Sequence, residues 1–297
     1  MIFRIKFAKY GVVRFIGHLD VMRYFQKVIR RSELPVSYSQ GFSPHQLMSF
    51  ALPLGVGITS DGEYMEVEFE DEGMRKLAAE RNTDDFEGLI SAELESNTTE
   101  GFEILRVMRL PDPKPNVHQD KAMALVSAAD YLIRVKDGYD IGFSSQEEFY
   151  AAFCGFMSRD SIEVTKRTKK SEKVINIREY IYEFGNGSCD AGTENGNDIS
   201  EDTKGSTISR DGSTVISAIA ADQAGNPVIT GTEHAAEYDN GLQITVRLAA
   251  GSMMNIKPEL VLEAFMESIG REYNENAFAQ HRMELLTGDA GNFRPLI

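Results

Sequence analysis

Arg14-Phe15-Ile16-Gly17-His18-Leu19-Asp20, followed by Arg23 and then by Ser37-Tyr38-Ser39-Gln40-Gly41-Phe42-Ser43-Pro44-His45, is the densest run of chemistry-bearing side chains in the 297-residue sequence. Two of the five histidines fall inside it. Imidazoles titrate near neutrality, so His18 and His45 are candidates for an acid and a base, with Tyr38 or Arg14 stabilising charge. The second chemistry on offer is anion binding. Free N–H groups at the start of a helix opening near Leu19 suit a phosphate or carboxylate, and Arg14 and Arg23 could clamp it with paired donors. Gly41 lets the following loop bring its backbone close to a ligand. The candidate binding set is therefore Arg14, His18, Asp20, Arg23, Lys27, Arg30, Tyr38, Ser39, Gln40, Gly41, Phe42 and His45. Plainer roles stand beside each. His18 can cap or pack a helix start, and Asp20 can pair with Arg23 three residues on, a contact of about 0.2–0.5 kcal/mol. The Arg23, Lys27, Arg30, Arg31 stripe can be a solvated face. The Tyr38–His45 loop fits a structural role least well, since no apolar core calls for that mixture of side chains.

These residues need elements to hold them. Ile2–Phe7 alternates apolar and basic residues, the pattern of a strand. Leu19–Arg31 carries Val21, Met22, Phe25, Val28 and Ile29 on one side of a helical wheel and charges on the other; Pro35 ends any continuation. Val36–Leu54 reads as an extended loop with strand at its edges, Glu63–Glu70 as a half-exposed strand, Thr83–Leu94 as a short helix and Phe102–Leu110 as a strand. That order, βαββαβ, is the ferredoxin-like arrangement. Three prolines in Pro111–Asn116 mark a linker. A second series then follows: strands at Ala129–Val135, Ile162–Lys166, Val174–Phe184, Leu242–Leu248 and Phe278–Leu285, with helices at Gln146–Met157 and Pro258–Ile269. The expected class is α+β, with two tandem ferredoxin-like units. The first spans 1–110, a linker 111–121, and the second 122–297.

Between the two halves of the second unit, residues 186–240 hold ten acids against Lys204 and Arg210, with Gly, Ser, Thr and Asn filling most other positions. Such a stretch buries too little apolar surface to offset its ordering entropy, so a long disordered acidic insert is expected. Thr214–Ala220 and Val228–Thr230 are a possible small hairpin within it.

Charge is as uneven as composition. The net charge is −15, yet residues 1–50 carry eight Lys or Arg against Asp20 and Glu33, or +6, which leaves −21 for the remainder. A local basic face on an acidic chain can still attract an anion, because the field near a surface follows the nearest charges. A second basic run, Lys166, Arg167, Lys169 and Lys170, lies between two strands, where it could reach phosphates. It could equally be a solvated turn. No apolar run approaches the roughly 18 residues of a membrane span, and the N-terminus lacks the unbroken apolar stretch of a signal peptide. A cytoplasmic location without membrane contact is expected. Cys154 and Cys189 have no cysteine partner at ligand spacing, so neither a disulfide framework nor a four-cysteine metal site is expected.

Phe3 to Phe69, through the segments "RFIGHLDVMRYFQKVIRRS", "PVSYSQGFSPH" and "FALPLGVG", resembles the N-terminal signature of the radical-SAM-linked proteins, domains of unknown function. A weaker echo runs through Arg159–Ile181 and Leu248–Leu262. The sequence departs from the family pattern at Gly17, where serine is usual, and at Gln46, where a second proline is common. The resemblance implies a partner, a cobalamin-binding-type radical SAM enzyme encoded alongside or fused in front. It also implies RNA-related neighbours, including a ribonuclease of the E/G type, and it supplies no catalytic residues.

Neither a GxxxxGK[ST] loop nor a GxGxxG after a strand occurs, and HExxH is missing too. The CxxxCxxC cluster motif of radical SAM enzymes is also missing, so no cofactor is expected here and the radical chemistry would belong to the partner. The leading expectation is an accessory or substrate-binding module for such an enzyme, acting on RNA. The alternatives are a metal-independent hydrolase or nuclease built on His18 and His45, and a protein–protein adaptor with no nucleic-acid role.

Overall fold

The computed structural model describes residues 1–112, 120–167, 172–187, 219–221, 227–229 and 231–297; for 166–167, 219–221 and 227–229 it describes the backbone alone. These residues form a mixed α+β protein with mostly antiparallel sheet and, among them, six α-helices. The chain divides into two compact units, Met1–Ser127 with Glu284–Ile297, and Ala128–Met283.

The first unit runs β1 (Ile2–Lys9), a 3-10 turn (Gly11–Phe15), α1 (His18–Arg31), β2 (Met48–Phe50), β3 (Thr59–Glu68), α2 (Asp71–Glu80), α3 (Phe86–Asn97), β4 (Phe102–Arg109) and a single turn α4 (Ala122–Leu125). β1 lies between β4 and β3, and β2 pairs with β3; every pairing is antiparallel. Register places Phe3 opposite Val67, Ile5 opposite Met65 and Phe7 opposite Glu63. That face of β1 meets Val21, Phe25, Val28 and Ile29 of α1 in one apolar core. Phe7 packs on Phe25 with ring centroids 4.7 Å apart. Burying each such side chain stabilises the fold by about 1.5–3 kcal/mol. Ser32 closes α1, its amide and hydroxyl donating to the carbonyls of Val28 and Ile29.

Two expectations for this unit need correction. The helix expected over Thr83–Leu94 forms as α3, but a further helix, α2, precedes it. α2 was missed because its charges mask the spacing of Met74, Leu77 and Ala78, which are buried. Its Gly73 admits Pro35 against the helix, where a Cβ would lie 2.6 Å from the Pro35 Cβ. The second correction concerns β3, expected to be half-exposed. Nine of its ten residues are buried, Glu63 and Glu66 included. For Glu66, on the face away from α1, the cause is charge pairing. Arg4 donates to Glu66 at 2.7 and 3.0 Å, and Glu66 also accepts the Ala122 amide at 3.0 Å.

The second unit runs β5 (Ala128–Val135), α5 (Gln146–Met157), β6 (Glu163–Arg167), β7 (Glu172–Asn176), β8 (Ile181–Gly185), β9 (Ile219–Ala221), β10 (Pro227–Ile229), β11 (Gln243–Ala249), α6 (Pro258–Ser268) and β12 (Phe278–Thr287). β11 pairs antiparallel with β5 and β8, and β12 lies on the other side of β5. Phe149, Phe153, Phe156 and Phe265 pack α5 and α6 together. Arg247 on β11 is bracketed by Asp130 of β5 and Glu183 of β8. One long strand was expected over Val174–Phe184, but it breaks in two. Asn176 accepts the amides of Ile162 and Arg178, which turns the chain, and β6 and β7 pair with each other as a separate ribbon.

Of the expected disordered insert, residues 188–218, 222–226 and 230 lie outside the described residues, as do 113–119 of the expected linker. Of the possible hairpin, residues 214–218 and 230 lie outside the described residues, and Ile219–Ala221 pairs with Pro227–Ile229. Within the expected insert, residues 231–240 are held by hydrogen bonds to the second unit. Asp137 accepts the amides of Asp239 and Asn240, and Arg134 donates to the Ala236 carbonyl at 2.7 Å. The last strand, β13 (Arg294–Pro295), pairs with the end of β12 in the first unit, and Arg4 holds it there through the Leu296 carbonyl at 2.7 Å.

Candidate functional site

The 3-10 turn before α1 is fastened from two sides. Lys9, almost fully buried, donates its ammonium to the carbonyls of Arg14 and Ile16 at 3.3 and 3.0 Å, and the Gly57 amide donates to Arg14 at 2.8 Å. With its backbone held this way, the turn presents its side chains outward. Val12, Phe15, Leu19 and Val56 are each more than 60 % exposed. The Arg14 guanidinium lies 4.8 Å from the centre of the Phe15 ring, a cation–π contact, and makes no ion pair among the described residues.

α1 starts at His18 on Gly17, whose backbone is non-helical and which has no side chain to cap the helix. The Asp20 and Val21 amides bond to the Gly17 carbonyl. His18 meets the Phe50 ring edge-on at 5.4 Å and lines a small hollow with Lys9, Val21, Leu54 and Glu63. Along the outer face Asp20 pairs with Arg23 at 3.0 Å, and Arg31 donates to the Asn97 carbonyl. Lys27 and Arg30 are exposed and form no ion pair among the described residues.

The Tyr38–His45 loop is a narrow hairpin. Tyr38 and Gln46 form a backbone bridge, and the Ser39 amide donates to the His45 carbonyl at 2.8 Å. The Ser39 hydroxyl accepts the His45 amide at 3.1 Å and lies 2.7 Å from its Nδ1. Either atom of that Ser39–His45 pair can be the donor. Gln40, Gly41, Phe42, Ser43 and Pro44 make the exposed tip. Gly41 sits at φ +114°, where a side chain would be strained, and Phe42 is fully exposed.

Below this loop a second cavity of about 190 Å³ is lined by Ile2, His45, Gln46, Met48, Ser49, Glu68 and Leu110, among others. Gln46 is buried. Its amide nitrogen donates to the Gln26 carbonyl at 3.4 Å, and its oxygen has no partner. A buried unpaired acceptor costs about 1–3 kcal/mol.

The expected set thus separates. Arg14, His18, Asp20 and Arg23 surround the start of α1, with Lys27 and Arg30 further along it. Tyr38, Ser39, Gln40, Gly41, Phe42 and His45 form the loop. The two candidate histidines line different hollows, His18 beside Lys9 and Glu63, His45 beside Glu68. Tyr38 is about half exposed, its backbone bridged to Gln46. Of the second basic patch, Lys166 and Arg167 are described only as backbone in β6, and Lys169 and Lys170 lie outside the described residues. Sequence reasoning missed Val12, Phe15, Leu19 and Val56 as a surface, because apolar residues beside a helix start read as core. It also missed Glu68 and Ser49, which only the pairing of β2 with β3 brings beside His45.

Among the described residues no group of three or more His, Cys, Asp or Glu could hold a metal ion, and no helix is long and apolar enough to cross a membrane. Residues 3–210 match the model of a family described as "Uncharacterized protein conserved in bacteria", a domain of unknown function. No curated protein matches the chain.

Proposed function

We propose, from the premise that this chain belongs to that family of uncharacterized proteins conserved in bacteria, that it is a binding module that presents RNA to a separate radical SAM enzyme. The observation that carries the RNA part is a set of exposed rings and cations on the turn before α1, on α1 itself and on the Tyr38–His45 loop. Phe15 and Phe42 are exposed rings, and Arg14, Lys27 and Arg30 are cations without ion-pair partners among the described residues. Rings stack on bases whatever the sequence, and cations follow the phosphates; together they are what single-stranded nucleic acid needs. The enzyme partner is supported by the likeness of Phe3–Phe69 to the radical-SAM-linked signature.

Architecture adds support by analogy only. The sheet orders β4-β1-β3-β2 and β12-β5-β11-β8, with their helical crossovers, favour reading each unit as ferredoxin-like, an arrangement that hosts many functions, nucleic-acid binding among them. A hydrolase would need His18 and His45 at one reacting group, and their different hollows make the binding reading the stronger one. The adaptor reading has an observation of its own, the exposed Val12, Leu19 and Val56, which give a partner protein an apolar contact beside the basic face.

Binding of a short oligouridine across a salt series tests the RNA part. Affinity should fall steeply with salt. Alanine at Arg14, Lys27 and Arg30 together should reduce the log–log slope by about 2, at roughly 0.7 per phosphate contact on a single strand. Unchanged affinity and slope in the triple variant would remove the RNA part and leave the adaptor.

A further inference from the structure

We infer that Ser39 is a nucleophile activated by His45, and that it takes a short, uncharged acyl group from an activated ester. This goes beyond RNA presentation and makes no use of His18. The Ser39 hydroxyl lies 2.7 Å from His45 Nδ1, within the reach that general-base catalysis needs. Closing the hairpin calls only for the bond from the His45 amide to that hydroxyl, at 3.1 Å. The ring on the same oxygen adds a base to a nucleophile, the pairing that activates a weakly nucleophilic hydroxyl. The loop exposes His45 and part of Ser39, so an ester has access to both.

Neutral His45 has two tautomers, and the one with Nδ1 bare accepts the hydroxyl proton. In the transfer, Ser39 Oγ bonds to the acyl carbon and the bond from that carbon to the leaving oxygen breaks. The Ser39 proton passes by way of Nδ1 to that leaving oxygen. An oxyanion forms on the way and needs donors. The amides of Gln40, Gly41, Phe42 and Ser43 form no hydrogen bond among the described residues, so the loop has donors to spare beside Ser39. The acyl group has a place as well. His45 borders the cavity of about 190 Å³, where Ile2, Leu47 and Leu110 give apolar wall for a short alkyl chain. Of the charged lining, Glu66 is engaged by Arg4 and the Ala122 amide. Glu68, Asp120 and Lys121 form no ion pair among the described residues. Two carboxylates against one ammonium favour the imidazolium that forms during transfer and disfavour an anionic acyl group.

The test mixes the full chain with p-nitrophenyl acetate, quenches in acid and locates the acetyl group by peptide mass spectrometry. Ser39 should carry it, with p-nitrophenol released in equal amount. His45→Ala should slow acetylation of Ser39 by about a hundredfold or more, the usual worth of a general base, while keeping the parent's thermal unfolding midpoint. Ser39→Ala should lose the label from this loop. Ser39→Cys, which keeps a nucleophile in place, should still be acetylated at position 39. Acetyl groups on Lys121 or other lysines with none on Ser39 overturn the inference. So does a His45→Ala chain acetylated at Ser39 as fast as the parent, which would leave the Ser39–His45 bond as a latch for the hairpin.

Discussion

The cations of β1 and those of α1 stand within thirty residues of one another and do opposite things. Arg4 and Lys6 are turned inward, Arg4 onto Glu66 and Lys6 onto Glu284 at 2.7 Å, while Lys9 is taken up by backbone carbonyls. Arg14, Lys27 and Arg30 face outward without ion pairs among the described residues. Three of the eight basic residues in the first fifty are therefore absent from the surface field that their number implies. A buried pair gives little net stability but is costly to break, whereas a surface cation does little for the fold and much for the approach of an anion. A count of charges sees no difference between them.

The sharpest break in that comparison is Glu66→Ala. It leaves the Arg4 guanidinium buried without its carboxylate and strips the Ala122 amide of its acceptor, so chemical denaturation should show a loss of about 3–5 kcal/mol. The paired change Arg4→Met with Glu66→Leu should recover most of that loss, because replacing both partners with apolar side chains leaves no stranded charge. A double variant as unstable as the single would mean that the pair does more than neutralise itself.

On the outer face the order of effects inverts. Phe15→Ala and Phe42→Ala should each weaken oligouridine binding by about 1–3 kcal/mol, the usual worth of one base stacked on an aromatic ring. The same variants should leave folding stability within about 0.5 kcal/mol of the parent chain. A large stability loss at Phe15 would place that ring in the fold and remove it from the binding surface.

Acidity tests the buried side of the comparison. Burial raises the Glu284 carboxyl above its ordinary value, and the Lys6 and Tyr64 hydrogen bonds that oppose this do not cancel it. Tyr64, which donates to Glu284, is itself pushed up by burial and by that carboxylate. The folded chain thus holds the Glu284 proton more tightly than the unfolded one. Its contribution to stability is greatest below the unfolded value of about 4.3 and falls as pH rises through the raised folded value. The stability of the parent chain minus that of Glu284→Gln should decline across this window, measured by urea unfolding at a series of pH values. A difference that grows with pH would show attraction to Lys6 outweighing burial.

The smallest effect expected is at the start of α1. Gly17 has open space where a Cβ would stand and a backbone any residue can adopt, so Gly17→Ser should add a capping oxygen and a few tenths of a kcal/mol. Thermal unfolding would register it, and a destabilised variant would mean the free amides there are already satisfied.

Local pattern made α1, α5 and α6 legible, since Val21, Phe25, Val28 and Ile29 recur at helical spacing and Pro258 opens α6 at its first turn. The loop from Tyr38 to His45 was legible as a concentration of polar groups without a core to serve. What each of its side chains faces was not. The Ser39–His45 bond needs the hairpin to close, and Glu68 comes beside His45 only through the pairing of Met48 with Val67.

By itself the sequence determined the alternation of β1, the amphipathic period of α1 and the concentration of basic residues before position 50, because each of these is a property of neighbours along the chain. Tertiary structure decided which of those cations were used up and which were left free. Arg4 finds Glu66 and Lys6 finds Glu284 across 62 and 278 residues. An acid so distant becomes a partner only when strand register brings it to the same face, and no spacing within the chain announces that.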